Sequence, residues 1–497
     1  MTTMRTYDFV VVSNRLPVDR VIPATGEPFW QHSPGGLVTA LEPVMRASAG
    51  AWIGWAGQPD LEFEPFESDG IQIVPVPLSR SDIENYYEGF SNDSIWPLYH
   101  DVIASPSYHR EWWESYVAVN QRFADAAVAI AAEGAVVWVQ DYQLQLVPRM
   151  LRLARPDLTI GFFNHIPFPP YGIYSQLPWR TQIVEGLLGA DVVGFQRVAD
   201  ASNFSRAVRR LTGFVTKYPH IEVPAYGGGG ASRRVLAKAF PISIDSQSFE
   251  EMARRPEIQA RAREIRDGLG NPKTVMLGVD RLDYTKGIDH RLKAFGELLQ
   301  EGRLTVEDVT LVQIANPSRE RVRAYMQLRD EIELTVGRIN GDFGTMSHTA
   351  ISYHHHGYPR EEMVALYLAS DVMLVTALRD GMNLVAKEYV ASRFDNDGVL
   401  ILSEFTGASD ELRRSLRINP HDIDGLKDAI VQAIDMPRVE RQRRMRVMRN
   451  LVLRNNVDRW SAAFLQALRG LGQDNQSGDE EDPLGDLEWT VERIRHR

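Results

Sequence analysis

The chain has 497 residues, more than one hydrophobic core normally supports, which predicts two or three domains. It carries 55 basic and 66 acidic side chains, and this formal net charge of −11 argues against nucleic acid or an anionic membrane as partner. Cysteine is absent, which excludes disulfides and thiolate catalysis and fits a reducing compartment.

In the first half of the chain, apolar segments of strand length alternate with helical patterns. Strands are predicted at 7–13, 135–140, 158–163 and 191–195, and helices at 37–47, 113–132 and 178–189. This alternation favours a parallel sheet covered by helices. The glycine run at 227–230 predicts a flexible surface loop, because no Lys-Ser or Lys-Thr follows it as in a phosphate-binding P-loop.

A second set of strands begins at 235–240, followed by a helical, arginine-rich segment at 250–269. Further strands are predicted at 273–279, 310–315, 351–354, 371–376 and 399–402. The chain is therefore predicted to form two α/β lobes in series that meet near residue 240. Because open parallel sheets bind ligands beyond the carboxyl ends of their strands, we expect the functional site in a cleft between the lobes.

The segment 278–287 places Arg281 and Lys286 in the loop where a buried strand ends. Two cations five positions apart can converge on one anion, and they would stabilise the charge that a diphosphate gains as its bond to a sugar breaks. Arginine suits phosphate oxygens geometrically, and lysine supplies a point charge. An alternative left open by the sequence is a pair of surface cations matched with Asp280 and Asp283.

The segment 379–388 follows another apolar strand. Asp380 and Gly381 interrupt the strand, and a helical pattern begins at Asn383. A helix starting there would direct unpaired backbone N–H groups at an anion, and Glu388 could bind the hydroxyls of a ribose. The alternative is an ordinary capped helix with Glu388 exposed.

Six motifs occur together in one order: SNRLP at 13–17, PGGL at 34–37, VQDY at 139–142, NHIPFP at 164–169, RLDYTKG at 281–287 and RDGMNLV at 379–385. With them the chain resembles the trehalose-6-phosphate synthases, apart from its acidic end. The resemblance implies a retaining glycosyltransferase of the α/β GT-B architecture, with two Rossmann-like lobes facing a central cleft. It implies transfer of glucose from a nucleotide-glucose to glucose 6-phosphate, with no metal and no other cofactor, by front-face displacement without a covalent intermediate.

The resemblance also implies roles for individual residues. The catalytic set is Asp141, His165, Arg281, Lys286 and Asp380. The glucose 6-phosphate set is Arg15, Tyr87, Trp96, Asp141 and Arg319. The donor set is Gly35, Gly36, Arg281, Lys286, Asp380, Gly381, Met382, Asn383, Leu384, Val385 and Glu388. On this assignment the cations Arg15, Arg281, Lys286 and Arg319 balance about two negative charges on each substrate, since a second phosphate pKa lies near 6.

The remaining expectations concern organisation and partners. We expect an acceptor-binding lobe at 1–240, a nucleotide-sugar lobe at 241–455, a helix at 456–472 that could pack back on the first lobe, and an acidic run at 473–497 typical of a mobile tail. Adjacent histidines at 354–356 point to opposite faces of a strand, which disfavours a metal site. The absence of a long apolar run and of a signal peptide predicts a cytoplasmic protein.

Small-molecule substrates are the expected partners, with no nucleic acid and no membrane, and the sequence leaves a homo-oligomer open. UDP-glucose is the first choice of donor on the resemblance, with ADP- and GDP-glucose as alternatives. Two other functions stay open: a synthase for another phosphorylated acceptor such as glycerol 3-phosphate, and a non-catalytic subunit that senses sugar phosphates. No aspartyl-phosphatase motif of the DxDxT type occurs.

Overall fold

The structure is a computed structural model that describes residues 5–21, 23, 26–33, 38, 41, 45, 48–224 and 232–477, with the backbone alone at 472–477. Several predictions lie wholly or mostly outside these residues: the helix at 37–47, the glycine loop at 227–230, the donor glycines Gly35 and Gly36, and most of the acidic tail.

The strands of the described residues are, in chain order, β1 (Tyr7–Arg15), β2 (Val18–Val21), β3 (Phe29–His32), β4 (Ala51–Trp55), β5 (Phe66–Ser68), β6 (Ile71–Pro75), β7 (Ala131–Gln140), β8 (Thr159–Phe163), β9 (Val192–Phe195), β10 (Thr216–Lys217), β11 (His220–Val223), β12 (Arg233–Ala239), β13 (Thr274–Arg281), β14 (Val309–Asn316), β15 (Ile351–His354), β16 (Val372–Val375), β17 (Val399–Ser403) and β18 (Leu416–Ile418).

These strands form two large sheets. The first has the order β10-β11-β12-β9-β8-β7-β1-β4-β6-β5 and is parallel from β12 to β6, with antiparallel pairs at both ends. The second has the order β15-β14-β13-β16-β17-β18 and is parallel throughout. The predicted parallel sheets are therefore confirmed. The predicted start of the second set is wrong, because β12 pairs with β9 and belongs to the first sheet.

The helices are Arg80–Asp82, a wide π-type helix Ile83–Ile95, Trp96–Tyr99, Arg110–Ile130, Tyr142–Leu144, Val147–Ala154, Tyr171–Tyr174, Arg180–Leu187, Val198–Thr212, Ser246–Arg254, Pro256–Gly268, Tyr284–Lys286, Ile288–Gln300, Arg323–Phe343, Arg360–Ala369, Leu384–Ser392, Ala408–Glu411, Ile423–Ile434, Arg438–Arg454 and Val457–Ser477. The helical segment predicted at 250–269 is two helices, since the chain turns at Arg255 and restarts at Pro256. Proline suits a first helical position because its missing N–H would have no partner there.

Apolar side chains fill both faces of each sheet. One buried cluster covers the outer face of the first sheet and another that of the second, while a third runs continuously between the sheets. The last helix, Val457–Ser477, contributes to this middle cluster: Phe464 stacks on Trp138 of β7 at 4.4 Å between ring centroids. Gly161 and Gly194 leave room for it, since a Cβ at either would lie 2.8 Å from the Phe464 ring. The end of the chain thus packs on the first sheet.

Ion pairs also join the two halves. Arg197 forms two hydrogen bonds of 2.8 and 2.9 Å to Asp410, and Arg379 lies 3.2 Å from Asp101 and 3.6 Å from buried Asp200. Burial raises the pKa of Asp200 to about 6, against the opposing charge of Arg379. These pairs hold the strand ends of the two sheets face to face. Within the described residues, every helix is too short or too polar to cross a membrane.

Candidate active site between the two sheets

The site lies where strands of both sheets end. Asp141 follows β7 and His165 follows β8, whereas Arg281 ends β13 and Asp380 follows β16. The two halves approach closely at Gly381, where a Cβ would lie only 2.2 Å from the backbone oxygen of His165. Glycine is therefore required at this position by the packing of one half against the other.

The donor-side cations Arg281 and Lys286 have different surroundings. Arg281 is exposed, and its guanidinium lies 5.2 Å from the centroid of the Trp96 ring. Lys286 is buried and its ammonium lies 2.6 Å from the Asp380 carboxylate. Burial alone would raise the pKa of Asp380, but Lys286 outweighs it and keeps that pKa below its usual value. The structure thus brings three predicted residues together with Trp96 from the other half.

The helix Leu384–Ser392 begins behind this pair, as predicted. Asn383 has a φ of 83° and caps the helix, because its Oδ1 accepts a hydrogen bond of 3.0 Å from the N–H of Ala386. Its side-chain amide also donates to Asp380 at 3.2 Å. Met382 is buried, while Leu384 and Val385 are half-buried at the helix start.

Glu388 lies one turn further along this helix. It accepts a hydrogen bond of 2.8 Å from the hydroxyl of Tyr367, and burial raises its pKa despite this bond. Glu388 is not the fully exposed residue of the alternative interpretation, because it is half-buried beside a buried tyrosine.

Arg319 crosses from the second half into the first. Its guanidinium lies 3.7 Å from the Trp96 ring centroid, and one nitrogen donates to the Tyr142 hydroxyl at 3.0 Å. The other end lies 3.4 Å from Asp283 and donates to the hydroxyl of Tyr325. Arg281 and Arg319 therefore share the Trp96 ring, which is one of the places where the two halves meet.

Asp141 and His165 occupy adjacent strand ends. Asp141 has a φ of 71°, and its carboxylate accepts a hydrogen bond of 3.0 Å from the N–H of His165. Burial raises the pKa of Asp141 to about 6, although backbone hydrogen bonds and the charges of Arg281 and Arg319 oppose this. Burial lowers the pKa of His165 to about 3, so its ring is neutral near pH 7, and Nε2 lies 2.9 Å from the Gln140 side-chain oxygen.

Arg15 and Tyr87, both predicted to bind the acceptor, contact the same tryptophan, Trp55. Arg15 is exposed, pairs with Asp19 at 2.8 Å and lies 5.3 Å from the centroid of the Trp55 ring. Tyr87 packs on the same Trp55 ring at 5.9 Å. Trp55 therefore connects these two predicted acceptor residues.

The alternative pairing of the donor cations is wrong. Asp280 binds Arg291 at 2.9 Å and Asp283 faces Arg319, so neither aspartate is the partner of Lys286. The sequence analysis missed several residues that hold the site together. These are Gln140, Tyr142 and Tyr325, together with Asn92, which accepts a hydrogen bond of 2.8 Å from the Tyr142 hydroxyl, and His100, whose ring lies 4.2 Å from that of Trp96. Gln140 and Tyr142 could have been noticed inside the quoted motifs, whereas His100 and Tyr325 stand in no distinctive pattern.

Two of the three histidines at 354–356 have hydrogen-bond partners elsewhere. His354 lies 2.9 Å from both Ser352 and Tyr358, and Nδ1 of His355 lies 3.1 Å from the backbone oxygen of Ala315. No group of three or more His, Asp or Glu side chains that could hold a metal ion occurs in the part of the chain that the structure describes.

The two sheets are covered by helices, and their strand ends face each other across a site that contains several cations. Together with the similar solved structures, this arrangement places the chain among the glycosyltransferases of the GT-B architecture. Residues 7–470 match the model of glycosyltransferase family 20, and the chain belongs to this family. It is 58% identical over 469 residues to the trehalose-6-phosphate synthase of Mycolicibacterium gilvum, an alignment that covers 93% of each chain. The resemblance to trehalose-6-phosphate synthases is thereby confirmed.

Solved structures agree with this assignment. An alpha,alpha-trehalose-phosphate synthase (UDP-forming) from Burkholderia xenovorans, in complex with glucose-6-phosphate, is 36% identical with a TM-score of 0.83, covering 93% of this chain and 100% of that one. A structure from E. coli bound with UDP-2-fluoro glucose is 32% identical with a TM-score of 0.83, covering 93% of this chain and 98% of that one.

Proposed function

We propose that this enzyme transfers glucose from UDP-glucose to glucose 6-phosphate with retention of configuration, giving α,α-trehalose 6-phosphate and UDP. The observation that carries the proposal is the convergence of Arg281 and Arg319 on Trp96, with the Lys286–Asp380 pair beside them. Cations for two phosphate groups therefore lie around one aromatic ring between the lobes. The ligands and the UDP-forming activity of the solved relatives support the choice of substrates.

On the donor side, Arg281 and Lys286 bind the diphosphate, and the helix that begins at Leu384 directs its free N–H groups toward the nucleotide. Glu388 accepts hydrogen bonds from the ribose hydroxyls. Asp380 orients Lys286 and lies beside the transferred glucose. Gly381, Met382, Asn383 and Val385 complete this wall, and Gly35 and Gly36 are proposed to approach the diphosphate from the other lobe.

In the reaction, the bond between C1 of glucose and the β-phosphate oxygen breaks, and its electron pair leaves with UDP. The acceptor hydroxyl attacks C1 from the same face and passes its proton to the departing phosphate oxygen. Arg281 and Lys286 stabilise the charge that grows on that oxygen, which accelerates the step because they are fixed before it begins. The step therefore needs no protein nucleophile, because the departing phosphate takes both the electron pair and the proton.

The pKa values of Asp141 and His165 support orienting roles in this step. His165 has a pKa of about 3, which makes it a weak base near pH 7 and suits it to a neutral hydrogen bond with a sugar hydroxyl. Asp141, with a pKa of about 6, is mostly ionised near pH 7 and can accept a hydrogen bond from the acceptor. Arg15, Tyr87, Trp96 and Arg319 are proposed to bind the sugar phosphate.

The test is a product assay with UDP-, ADP- and GDP-glucose against glucose 6-phosphate and glycerol 3-phosphate. We expect trehalose 6-phosphate with an α,α linkage by NMR, the highest rate with UDP-glucose, and rates lowered at least a hundredfold in Arg281→Ala and Lys286→Ala. If UDP is released with glycerol 3-phosphate but not with glucose 6-phosphate, the proposed acceptor, glucose 6-phosphate, is refuted. A glucosyl adduct on Asp141 or Asp380, sought by mass spectrometry with a 2-fluoro donor, would refute the front-face step.

We also propose the domain division of the sequence analysis, 1–240 and 241–455 followed by the packed helix at 456–472, and the two separate sheets support it. A cytoplasmic location is proposed on the absence of cysteine. We propose no nucleic-acid partner, because of the negative net charge, and leave a homo-oligomer to be measured by light scattering.

A further inference from the structure

Asp283 lies at the centre of the site and is completely buried. Its two carboxylate oxygens have separate partners. Oδ1 accepts hydrogen bonds from the N–H and the hydroxyl of Thr285, at 3.0 and 2.9 Å. Oδ2 accepts one of 3.0 Å from the hydroxyl of Tyr325 and lies 3.4 Å from the Arg319 guanidinium. One buried side chain therefore contacts two different parts of the site.

The Oδ1 side belongs to the donor half. Asp283 caps the short turn Tyr284–Lys286, whose last residue is the buried donor cation. The turn is tied to the donor segment, because the backbone oxygen of Thr285 accepts a hydrogen bond of 2.7 Å from the N–H of Leu378. The position of the Lys286 ammonium thus depends on a turn that Asp283 closes.

Oδ2 faces Arg319, the cation proposed to bind the acceptor phosphate. Arg319 has a φ of 49°, a conformation that costs free energy for a residue other than glycine and must be held by its contacts. The Tyr325 hydroxyl accepts a hydrogen bond from Arg319 and donates one to Asp283, so it relays the carboxylate to the guanidinium. The segments leading to Arg319 and Asp283 are adjacent, since the N–H of Leu282 donates to the backbone oxygen of Asn316 at 2.8 Å.

We propose that Asp283 is a positioning residue that couples the two substrate sites: Oδ1 sets the donor cation Lys286 through Thr285, and Oδ2 sets the acceptor cation Arg319 through Tyr325. This inference rests on the proposed function, because it takes Lys286 to bind the donor and Arg319 the sugar phosphate. Asp283 is ionised for this role: burial would raise its pKa, but Arg319, Arg281 and Lys286 hold it at about 2.

The coupling predicts effects that separate by substrate. Tyr325→Phe removes the relay to Arg319 and keeps the ring that packs on Tyr284 of the donor turn, 5.3 Å between centroids. Thr285→Val removes one bond of the turn without touching Arg319. A hydrogen bond to a charged group is stronger than one between neutral groups. We therefore expect Tyr325→Phe to raise the KM for glucose 6-phosphate about tenfold, with the KM for UDP-glucose within about twofold of wild type, and Thr285→Val to do the reverse.

Asp283→Asn should impair both substrates at once. We expect higher KM values for both, together with slower release of UDP from UDP-glucose in the absence of acceptor, a reaction that needs only the donor half. Adding Tyr325→Phe to Asp283→Asn should raise the KM for glucose 6-phosphate less than it does in wild type, because the relay already lacks its charged end. Tyr353→Phe is the matched control, since the buried Tyr353 hydroxyl has no hydrogen-bond partner in the described residues.

The measurements are initial rates over both substrate concentrations, binding of UDP-glucose and of glucose 6-phosphate by calorimetry, and thermal unfolding of each variant. An active wild type whose Tyr325→Phe variant changes both KM values equally, or neither, overturns the coupling. A wild type that neither binds nor converts glucose 6-phosphate overturns the proposed function and the coupling together. If Asp283→Asn does not fold, the opposite substrate effects of the two single-hydroxyl variants decide the question.

Discussion

Replacing Gly381 by alanine tests whether close contact between the two halves is required for catalysis. The new Cβ would lie 2.2 Å from the backbone oxygen of His165, whereas ordinary contacts begin at 3.4 Å. Because both partners at this contact are backbone or fixed to it, one half must move by about 1 Å relative to the other. This displacement would separate His165 from Asp380, the two residues proposed to contact the sugars from the first and second halves.

A misplacement of 1 Å at a catalytic site can cost about a hundredfold in rate, equivalent to about 2.7 kcal/mol of transition-state stabilisation. We expect Gly381→Ala to lower kcat/KM by about that factor. The assay is coupled detection of released UDP with glucose 6-phosphate varied at saturating UDP-glucose, and separately without acceptor. Thermal unfolding of the same preparation distinguishes a displaced site from a poorly folded protein.

Gly341→Ala is the matched control, because Gly341 is in the helix Arg323–Phe343 and a Cβ there would meet no atom within 4 Å. Alanine in a helix interior is more stable than glycine by about 0.5–1 kcal/mol, so this variant should keep full activity and unfold at the same or a higher temperature. If Gly381→Ala retains kcat/KM within about twofold of Gly341→Ala, then the tight contact is not needed for catalysis and the reasoning fails.

Three further predictions address charge. Burial raises the pKa of Asp141 to about 6, so its charge is lost as the pH falls through that value. We therefore expect kcat at saturating substrates to decrease when the pH is below about 6. If the residual rate of Asp141→Asn has the same pH profile, the titrating group is the acceptor phosphate instead. Lys286→Met should lower kcat about a thousandfold in the same assay, because it removes a fixed cation and leaves Asp380 unpaired, and a loss under tenfold would contradict its proposed role. Lys387→Met should lower the free energy of unfolding by about 3 kcal/mol in urea titrations, because buried Lys387 binds Glu411 and the backbone oxygen of Ile242. An unchanged midpoint would show that these bonds make no net contribution to stability.

The fold was predictable where the strands are buried on both faces. Such strands are short apolar runs ending in polar or glycine residues, and the run predicted at 399–402 lies within β17, whose five residues are all buried. The π-type helix Ile83–Ile95 was not predictable in the same way, because its hydrogen-bond spacing departs from the period of 3.6 on which helical patterns depend. Tyr87 lies on this helix, so its position beside Trp55 needed the structure.

The places of several candidate site residues at strand ends were predictable, but their pairings were not. Arg281, Lys286 and Asp380 follow strands in motifs that the sequence displays directly. Lys286 binds a partner 94 positions away, and Arg319 one that is 177 positions away. Local spacing left Asp280 and Asp283 open as partners of these cations, whereas packing paired Asp280 with Arg291 and Asp283 with Arg319. Contacts at such separations depend on the assembled sheets, so one sequence does not reveal them.

These pairings change the charge argument made from the sequence. The sequence argument matched four cations to the charges of two substrates and left out the protein's own carboxylates. Arg15, Lys286 and Arg319 each lie beside an aspartate. Among the four cations, only Arg281 makes no ion pair in the described residues. The net charge around the site is therefore close to balanced. On the proposed function, Lys286 and Arg319 recognise phosphate through fixed geometry, because their charge is already partly neutralised by Asp380 and Asp283. A carboxylate that holds a cation in place weakens the attraction of that cation for an anion. It also removes the entropy cost of ordering the cation when the substrate binds. The second effect favours the transition state, because the rate there depends on exact position.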